Sequence, residues 1–460
     1  MRKTVLIFVL MLTGIGIGNA QEPAKEAAQE PAKTAKAWTL SDCIEYALKN
    51  NIQLQKTRIS RLSAEQDVLQ SEAALLPTLN ANTSQNLTYR PWVASGMSTV
   101  SNGYVQSSVD KVYYSGNYGL NMNWTVWNGN QNRNAILQNK LARQQAELDS
   151  AITANNIQEQ IAQLYVQILY SNEAIRVSKE SLATSMKNEE RGSEMVKVGK
   201  MSKADLAQLT AQRAQDEYNV VAAESNELNY KRQLKQLLQI TDNVDFEVAV
   251  PETTDAQALA EIPSMQSVYE AALENRPEIQ NTKLNIQNSE LSMKIAKAGK
   301  LPTVGVSASA STNTTTMSST SWGEQSKNNF NMGAGVTLSI PLIDGRKTKT
   351  AISKATLQRE SALLDLRDQQ TTLYSNIENY WLQALNNQNK YKAARISVQS
   401  EQASYHLLSE QFRLGLKNII ELMTGKDKLL SAQQNELQSK YLTILNLQML
   451  KFYQGEKLSL

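Results

Sequence analysis

The sequence predicts an α+β membrane protein in which several copies of the chain share one β-barrel, and in which long α-helices continue that barrel as a coiled-coil tube. Three observations predict this architecture. Four segments alternate between apolar and polar residues, two much longer segments lack proline and carry a helical apolar spacing, and the order of these segments occurs twice along the chain.

The first residues predict export. Arg2 and Lys3 precede an apolar run at residues 5–17, and small residues follow, a pattern typical of a signal peptide, here residues 1–20. Residues 21–37 repeat Gln-Glu-Pro-Ala-Lys and predict a disordered leader. No later run approaches the roughly 18 apolar residues of a membrane-spanning helix, so we expect membrane insertion to use strands.

The composition excludes several classes of function. Basic and acidic residues nearly balance, 47 against 44, so nucleic acid is not an expected partner. The one cysteine, Cys43, is expected to be buried in a helix. Because the chain has a single histidine, His406, and no phosphate-binding loop, nucleophile elbow or cysteine-histidine cluster, it predicts no enzyme, no cofactor and no metal site.

Repeated motifs divide the chain into two similar halves. Residues 46–50 resemble 271–275, and the Leu-Pro-Thr sequence at 76–78 recurs at 301–303 with the same offset. The predicted units are a first repeat at 38–240, a connecting segment at 241–263 and a second repeat at 264–456. The first repeat is predicted to contain a helix at 39–75, strands at 78–90 and 112–127, a long helix at 130–197 and a helix at 203–240. The second repeat is predicted to contain a helix at 264–300, strands at 303–314 and 329–342, a long helix at 346–412 and a helix at 418–455.

Alternation is the most specific signal of the strands. Between Val112 and Val126 the even positions are mostly apolar and the odd positions mostly polar. Strands of soluble antiparallel sheets also alternate, but they usually run to about five or six residues. The length therefore favours barrel strands with one face on lipid and one on water. The smallest such barrels use about eight strands, so several chains must share one.

The proline-free segments predict unusually long helices. In the first, Ile157, Ile161, Leu164, Ile168 and Ile175 recur at the three-and-four spacing of a coiled-coil seam. At about 1.5 Å per residue, each long helix spans about 100 Å. That length exceeds a single globular domain and favours the wall of a tube.

In their order, these motifs resemble the TolC-like family of outer-membrane efflux and secretion ducts. The similarity rests on residues 38–48, on both Leu-Pro-Thr turns, on 340–346 and on the Val-Gly and Leu-Gly turns at 198–199 and 414–415. It implies a homotrimer in outer-membrane lipid, a twelve-stranded barrel with four strands per chain, and a periplasmic tube closed near its end. The implied partners are a periplasmic adaptor and an inner-membrane transporter. Thr125 departs from the pattern, because the second repeat has Pro341 there.

The resemblance also implies two sets of functional residues. The helical tips would dock the adaptor, although the glycines alone would also suit a simple turn. A gate would use Asp205 and Lys417 to hold the tips closed, with Glu421 as an acidic ring in the pore. Phe412 stands where the family has a phenol, and Thr424 where it has a second acidic ring. Without the resemblance, these charges would suit a solvated helix face. The expected tip residues are Val198, Gly199, Lys200, Leu414, Gly415 and Leu416.

The sequence leaves two functions open. The preferred one is a channel-tunnel for efflux or type I secretion, whose cargo could be drugs, metal ions or polypeptides. The alternative is a structural or adhesive coiled-coil protein anchored by a shared barrel. Such a protein would separate one anchor from one stalk, whereas this chain interleaves strands and helices twice.

Overall fold

A computed structural model of the chain describes residues 37–92, 99–101, 104–106, 110–241, 246–251 and 255–459. The predicted signal peptide, and the predicted leader up to residue 36, lie outside these residues. None of the described helices combines the length and the hydropathy of a membrane-spanning helix.

The described part of the chain is mostly helical. Its helices are α1 (Leu40–Asn50), α2 (Ile52–Ala73), α3 (Gln131–Lys197), α4 (Lys203–Leu238), α5 (Asp255–Ala258), α6 (Met265–Asn275), α7 (Pro277–Ala298), α8 (Trp322–Asn328), α9 (Lys347–Arg413) and α10 (Ile419–Tyr453). Its strands are β1 (Thr78–Tyr89), β2 (Thr99–Ser101), β3 (Tyr104–Gln106), β4 (Val112–Trp127), β5 (Thr303–Thr315) and β6 (Asn331–Ser339).

Two helices that were expected to be continuous are broken, so the predictions at 39–75 and 264–300 are wrong in this respect. Asn51 has an extended backbone, and its side-chain oxygen accepts a hydrogen bond from the backbone N–H of Gln53 at 2.9 Å, which caps α2. Its side-chain amide donates to the carbonyl of Leu237 at 2.9 Å, so the break is fixed against α4. In the second half Arg276 is extended because Pro277 follows it.

The four long strands form one antiparallel sheet in the order β1-β4-β5-β6. In this register, directly paired residues place their side chains on the same side of the sheet. We call the two sides the apolar face and the polar face. The strand predicted at 329–342 is shorter, because α8 and its C-cap precede it and Pro341 follows it. The apolar face includes Leu79, Leu120, Met122, Ala308, Met332 and Val336, and the polar face includes Asn82, Asn117, Asn121, Ser309, Asn331 and Thr337.

The connection between β5 and β6 contains α8, which is fastened to the apolar face near one end of the sheet. The indole of Trp322 meets the ring of Tyr118 edge-on, with centroids 6.1 Å apart. The hydroxyl of Thr312, the register partner of Tyr118, donates to the carbonyl of Ser326 at 2.8 Å. The buried amide of Gln325 donates to the carbonyl of Thr315 at 3.0 Å. This connection therefore lies on the side of the sheet opposite the asparagines.

The helices pack around narrow cores. Helix α3 packs along α4, and α9 packs along α10. The main apolar cluster joins α1, α3, α4 and α10, and it encloses Cys43 completely, as expected. Burial raises the pKa of that thiol to about 12.

The segment between the two halves lies against these helices. Val248 forms a parallel β-bridge with Trp38, and the buried hydroxyl of Tyr165 donates to the carbonyl of Ala249 at 2.6 Å. Further on, the Asp255 carboxylate accepts a hydrogen bond from the Tyr391 hydroxyl at 2.6 Å. That bond is the main reason why the pKa of Asp255 is lowered from its ordinary value.

Candidate functional site at the helical tips

Two tight turns join the long helices to the helices that follow them. Each is a Schellman motif centred on a glycine with a left-handed backbone, Gly199 with φ 73° and Gly415 with φ 76°. Lys200 donates its backbone N–H to the carbonyl of Met195 at 2.8 Å, and Leu416 donates to Gln411 at 2.9 Å. The two turns therefore end their helices by the same hydrogen-bond pattern.

The turns present apolar side chains to solvent. Val198 is 67% exposed, Leu414 66% and Leu416 70%. A Cβ atom added at Gly199 or Gly415 would have no atom within 4 Å, so the turns leave open space around the glycines. The structure thus places all six predicted tip residues in two exposed turns.

The predicted gate charges lie at the starts of α4 and α10, with Asp205 and Glu421 in the first turns and Lys417 just before the N-cap Asn418, and each takes part in local bonding. The Asp205 carboxylate accepts from the Ser202 hydroxyl at 2.8 Å, while the Ser202 hydroxyl accepts from the Asp205 backbone N–H at 3.0 Å. Lys417 Nζ lies 2.5 Å from the carboxylate of Glu421, one helical turn away. Within one chain, therefore, Asp205 and Lys417 are not bonded to each other.

Phe412 lies inside the tip, in a small apolar cluster with Leu209, Ile419 and Leu422. Its ring fills the space between the helix pairs and does not face solvent. Thr424 donates its hydroxyl to the carbonyl of Ile420 at 2.7 Å, within its own helix.

A buried ion pair further along the helices was not predicted. Lys426 of α10 bonds the carboxylate of Asp216 of α4, and their side chains are only 5% and 1% exposed. Lys426 Nζ also donates to the hydroxyl of Ser185 of α3 at 2.7 Å, and that hydroxyl bonds the same carboxylate. Three helices are thus joined by charged and polar groups without access to water. No spacing rule pairs residues so far apart in sequence.

Glycines allow the helices to approach closely beside this pair. A Cβ atom at Gly192 of α3 would lie 2.5 Å from a methyl carbon of Leu209, and one at Gly425 of α10 would lie 2.6 Å from a methyl carbon of Leu408. Close approach excludes water from the neighbouring polar groups. A shallow groove between α3 and α4 includes Met186, Glu190 and Arg213.

An antiparallel sheet with one apolar and one polar face, joined to helices of 67 residues that end in matched turns, defines an elongated membrane-associated protein. The profile of the family described as Outer membrane efflux protein matches residues 43–239 and 268–456. The chain therefore belongs to the outer membrane efflux protein family.

One curated relative is the Alkaline protease secretion protein AprF of Pseudomonas aeruginosa. It is 23% identical to this chain over 189 residues, which are 40% of this chain and 37% of that protein. The matched part thus spans little more than a third of the relative.

Solved structures share the fold. A structure of CusC superimposes with a TM-score of 0.77 at 14% identity, over 94% of this chain and 99% of that one. The outer membrane protein VceC of Vibrio cholerae gives 0.72 at 18% identity, over 89% and 95%, and the CmeC outer membrane channel of Campylobacter jejuni gives 0.73 at 18%, over 92% and 87%.

The family assignment and the shared fold confirm several predictions made from the sequence. The resemblance and the outer-membrane location are confirmed. The family is described by efflux at the outer membrane and not by a catalytic activity. The mostly helical fold with a four-stranded antiparallel sheet is confirmed as well.

Proposed function

We propose that three copies of this chain form a duct through the outer membrane, with a twelve-stranded barrel and a periplasmic helical tube built from two similar repeats in each chain. The observation that carries this proposal is the sheet. Its edge strands β1 and β6 have no pairing partner on their outer sides among the described residues, and its apolar face is uncovered over most of its length. Backbone groups cannot stay unpaired in lipid, so edges of neighbouring copies must pair until the sheet closes.

The exposed apolar residues of α2 support the same assembly. Ile52, Ile59, Leu62 and Leu69 are all at least half exposed, and they recur at the spacing of a coiled-coil seam. On α9, Leu357 and Leu364 are also exposed and lie seven residues apart. A neighbouring copy that packed on these faces would remove the apolar surface from water, as the tube requires.

The tips are the proposed contact for a periplasmic adaptor, which would connect the duct to an inner-membrane transporter. The exposed apolar side chains of Val198, Leu414 and Leu416 offer a small surface for such a partner. The cargo is proposed only as the class that efflux or type I secretion systems carry: drugs, metal ions or polypeptides. The name of AprF refers to protease secretion by that protein.

The gate remains a proposal that depends on assembly. Since Asp205 and Lys417 do not meet within one chain, their pairing would have to join neighbouring copies at the closed end. Glu421 would then narrow the pore as one ring of three carboxylates, each balanced in part by the lysine one turn before it.

The size and conductance of the purified protein test the proposal. Light scattering in detergent should give a trimer, and the trimer should carry ion current across a planar bilayer. A trimer that never conducts, even after its gate charges are neutralised, would favour the barrel-anchored structural protein. A detergent-independent monomer would refute both.

A further inference from the structure

The wall of the sheet carries no fixed charge. None of the residues of β1, β4, β5 and β6 is Asp, Glu, Lys or Arg, and the polar face consists mainly of Asn, Ser, Thr and Gly. Pores that select ions by charge commonly do so with rings of charged side chains. The polar face offers dipoles and hydrogen bonds in place of such rings.

The polar side chains of this face are bonded to one another across the strands. The amide nitrogen of Asn121 donates to the amide oxygen of Asn82 at 2.6 Å. Between the other two strands, the Ser311 hydroxyl donates to the amide oxygen of Asn331 at 2.9 Å. These bonded groups are all neutral, so they add no net charge to the polar face.

On the polar face, the charged residues that are nearest along the strands lie beyond the strand ends, and Glu324 and Lys327 belong to α8 on the opposite, apolar side of the sheet. Ser309 is in the middle of β5, about 20 Å from either end at roughly 3.3 Å per residue. At physiological salt, potentials decay over about 8 Å. The ends of the sheet are therefore too far away to impose a potential at its centre.

We propose that the strand-built section of the duct does not discriminate cargo by charge, so that anionic and cationic molecules pass it equally well. Any selection by charge then occurs in the helical section, where Asp205, Lys417 and Glu421 lie. This inference rests on the proposed duct, because only a closed barrel makes the polar face the wall of a pore.

Thiol chemistry can measure the potential at this wall. Ser309→Cys places a thiol on the polar face with almost no change in volume, and Ala308→Cys places one on the apolar face one residue earlier. The natural Cys43 is fully buried, so unmodified protein serves as the unreactive background. Small cationic and anionic thiosulfonates of similar size are added from the outer side, and both rates are divided by those of a free thiol.

For Ser309→Cys, the corrected cation-to-anion ratio of rates should lie within about twofold of one, since none of the strand residues that make up the polar face is charged. A ratio that departs from one by about tenfold or more would overturn the neutral wall while leaving the duct intact. If Ala308→Cys reacts and Ser309→Cys does not, the polar face does not line a pore, and both the duct and this inference fail. If Ser309→Cys does not assemble, Asn121→Cys, at the paired position of β4, tests the same level of the wall.

Discussion

The buried pair between Lys426 and Asp216 provides a direct test of how the helices near the tips are held together. Lys426→Met keeps the length and the apolar stem of the side chain but removes its ammonium group. The carboxylate of Asp216, which is 1% exposed, then keeps only the Ser185 hydroxyl and the amide of Gln212 at 3.5 Å as partners. Removing one partner of a buried pair typically costs about 3–5 kcal/mol, because the other charge remains without water.

This free energy corresponds to a measurable change in melting temperature. Each residue contributes about 2.1 cal/mol/K to the entropy of unfolding, so a chain of 460 residues has roughly 1 kcal/mol/K. We therefore expect Lys426→Met to lower Tm by about 3–5 °C, measured by circular dichroism of the detergent-solubilised protein. A matched control is Lys428→Met, which removes an exposed lysine from the same helix and should change Tm by less than about 1 °C.

A second variant separates the loss of the pair from the loss of packing. Adding Asp216→Asn to Lys426→Met removes the unpaired carboxylate, and it should restore more than half of the lost stability. If the single variant Lys426→Met melts together with the Lys428→Met control, the reasoning about this buried pair is refuted. If Asp216→Asn brings no recovery, the loss comes from packing and not from an unpaired charge.

Three further results are expected. Gly199→Val or Gly415→Val should abolish export of cargo by cells while trimers still form, because a β-branched residue resists the left-handed turn by about 1–2 kcal/mol and displaces the tips. Asp205→Asn or Lys417→Met should raise single-channel conductance in planar bilayers, because the proposed gate would lose its ion pairs. Asp255→Asn should lower Tm at neutral pH but not in strongly acidic buffer. The pKa of the Asp255 carboxyl is lowered in the folded chain, so the ionised carboxylate stabilises the fold at pH values above its ordinary pKa of 3.8. This stabilisation is lost as the pH falls through the lower pKa of the folded chain.

Each of these expectations can fail separately. Normal export by both glycine variants would exclude the turns as the adaptor contact, with Gly323→Ala, an open position away from the tips, as the control for expression. Unchanged conductance in both charge variants would exclude their pairing at the gate. A constant difference in Tm between pH 7 and pH 3 would show that Asp255 stabilises the chain by something other than its charge.

The alternation of apolar and polar residues was sufficient to predict where the strands lie along the chain. The bounds of β4 agree with the prediction at both ends, and β1 and β5 agree to within a residue, because an apolar face and a polar face impose a period of two over the whole strand. The long helices agree to within a residue because glycine ends each of them.

The breaks at Asn51 and Arg276 were missed because the sequence on either side of each continues to suit a helix. A polar cap and a proline that follows at once decide these positions locally. The interaction of Lys426 with Asp216 depends on the packing of three helices, which no spacing along one helix encodes. The proposed gate contacts would join neighbouring copies of the chain, so the sequence of one helix can indicate the residues but not which residues they pair with.

The attachment of α8 to the apolar side of the sheet bears on which segment of the proposed duct can face the outside of the cell. Since Trp322 and Gln325 tie this connection to the apolar side of the sheet, its sequence can vary in length and charge without narrowing the pore of the proposed duct. In that proposed duct, selection by antibodies or phages would act on this short helix independently of the passage of cargo. Gly323, with open space around it, is the natural point for inserting a surface epitope.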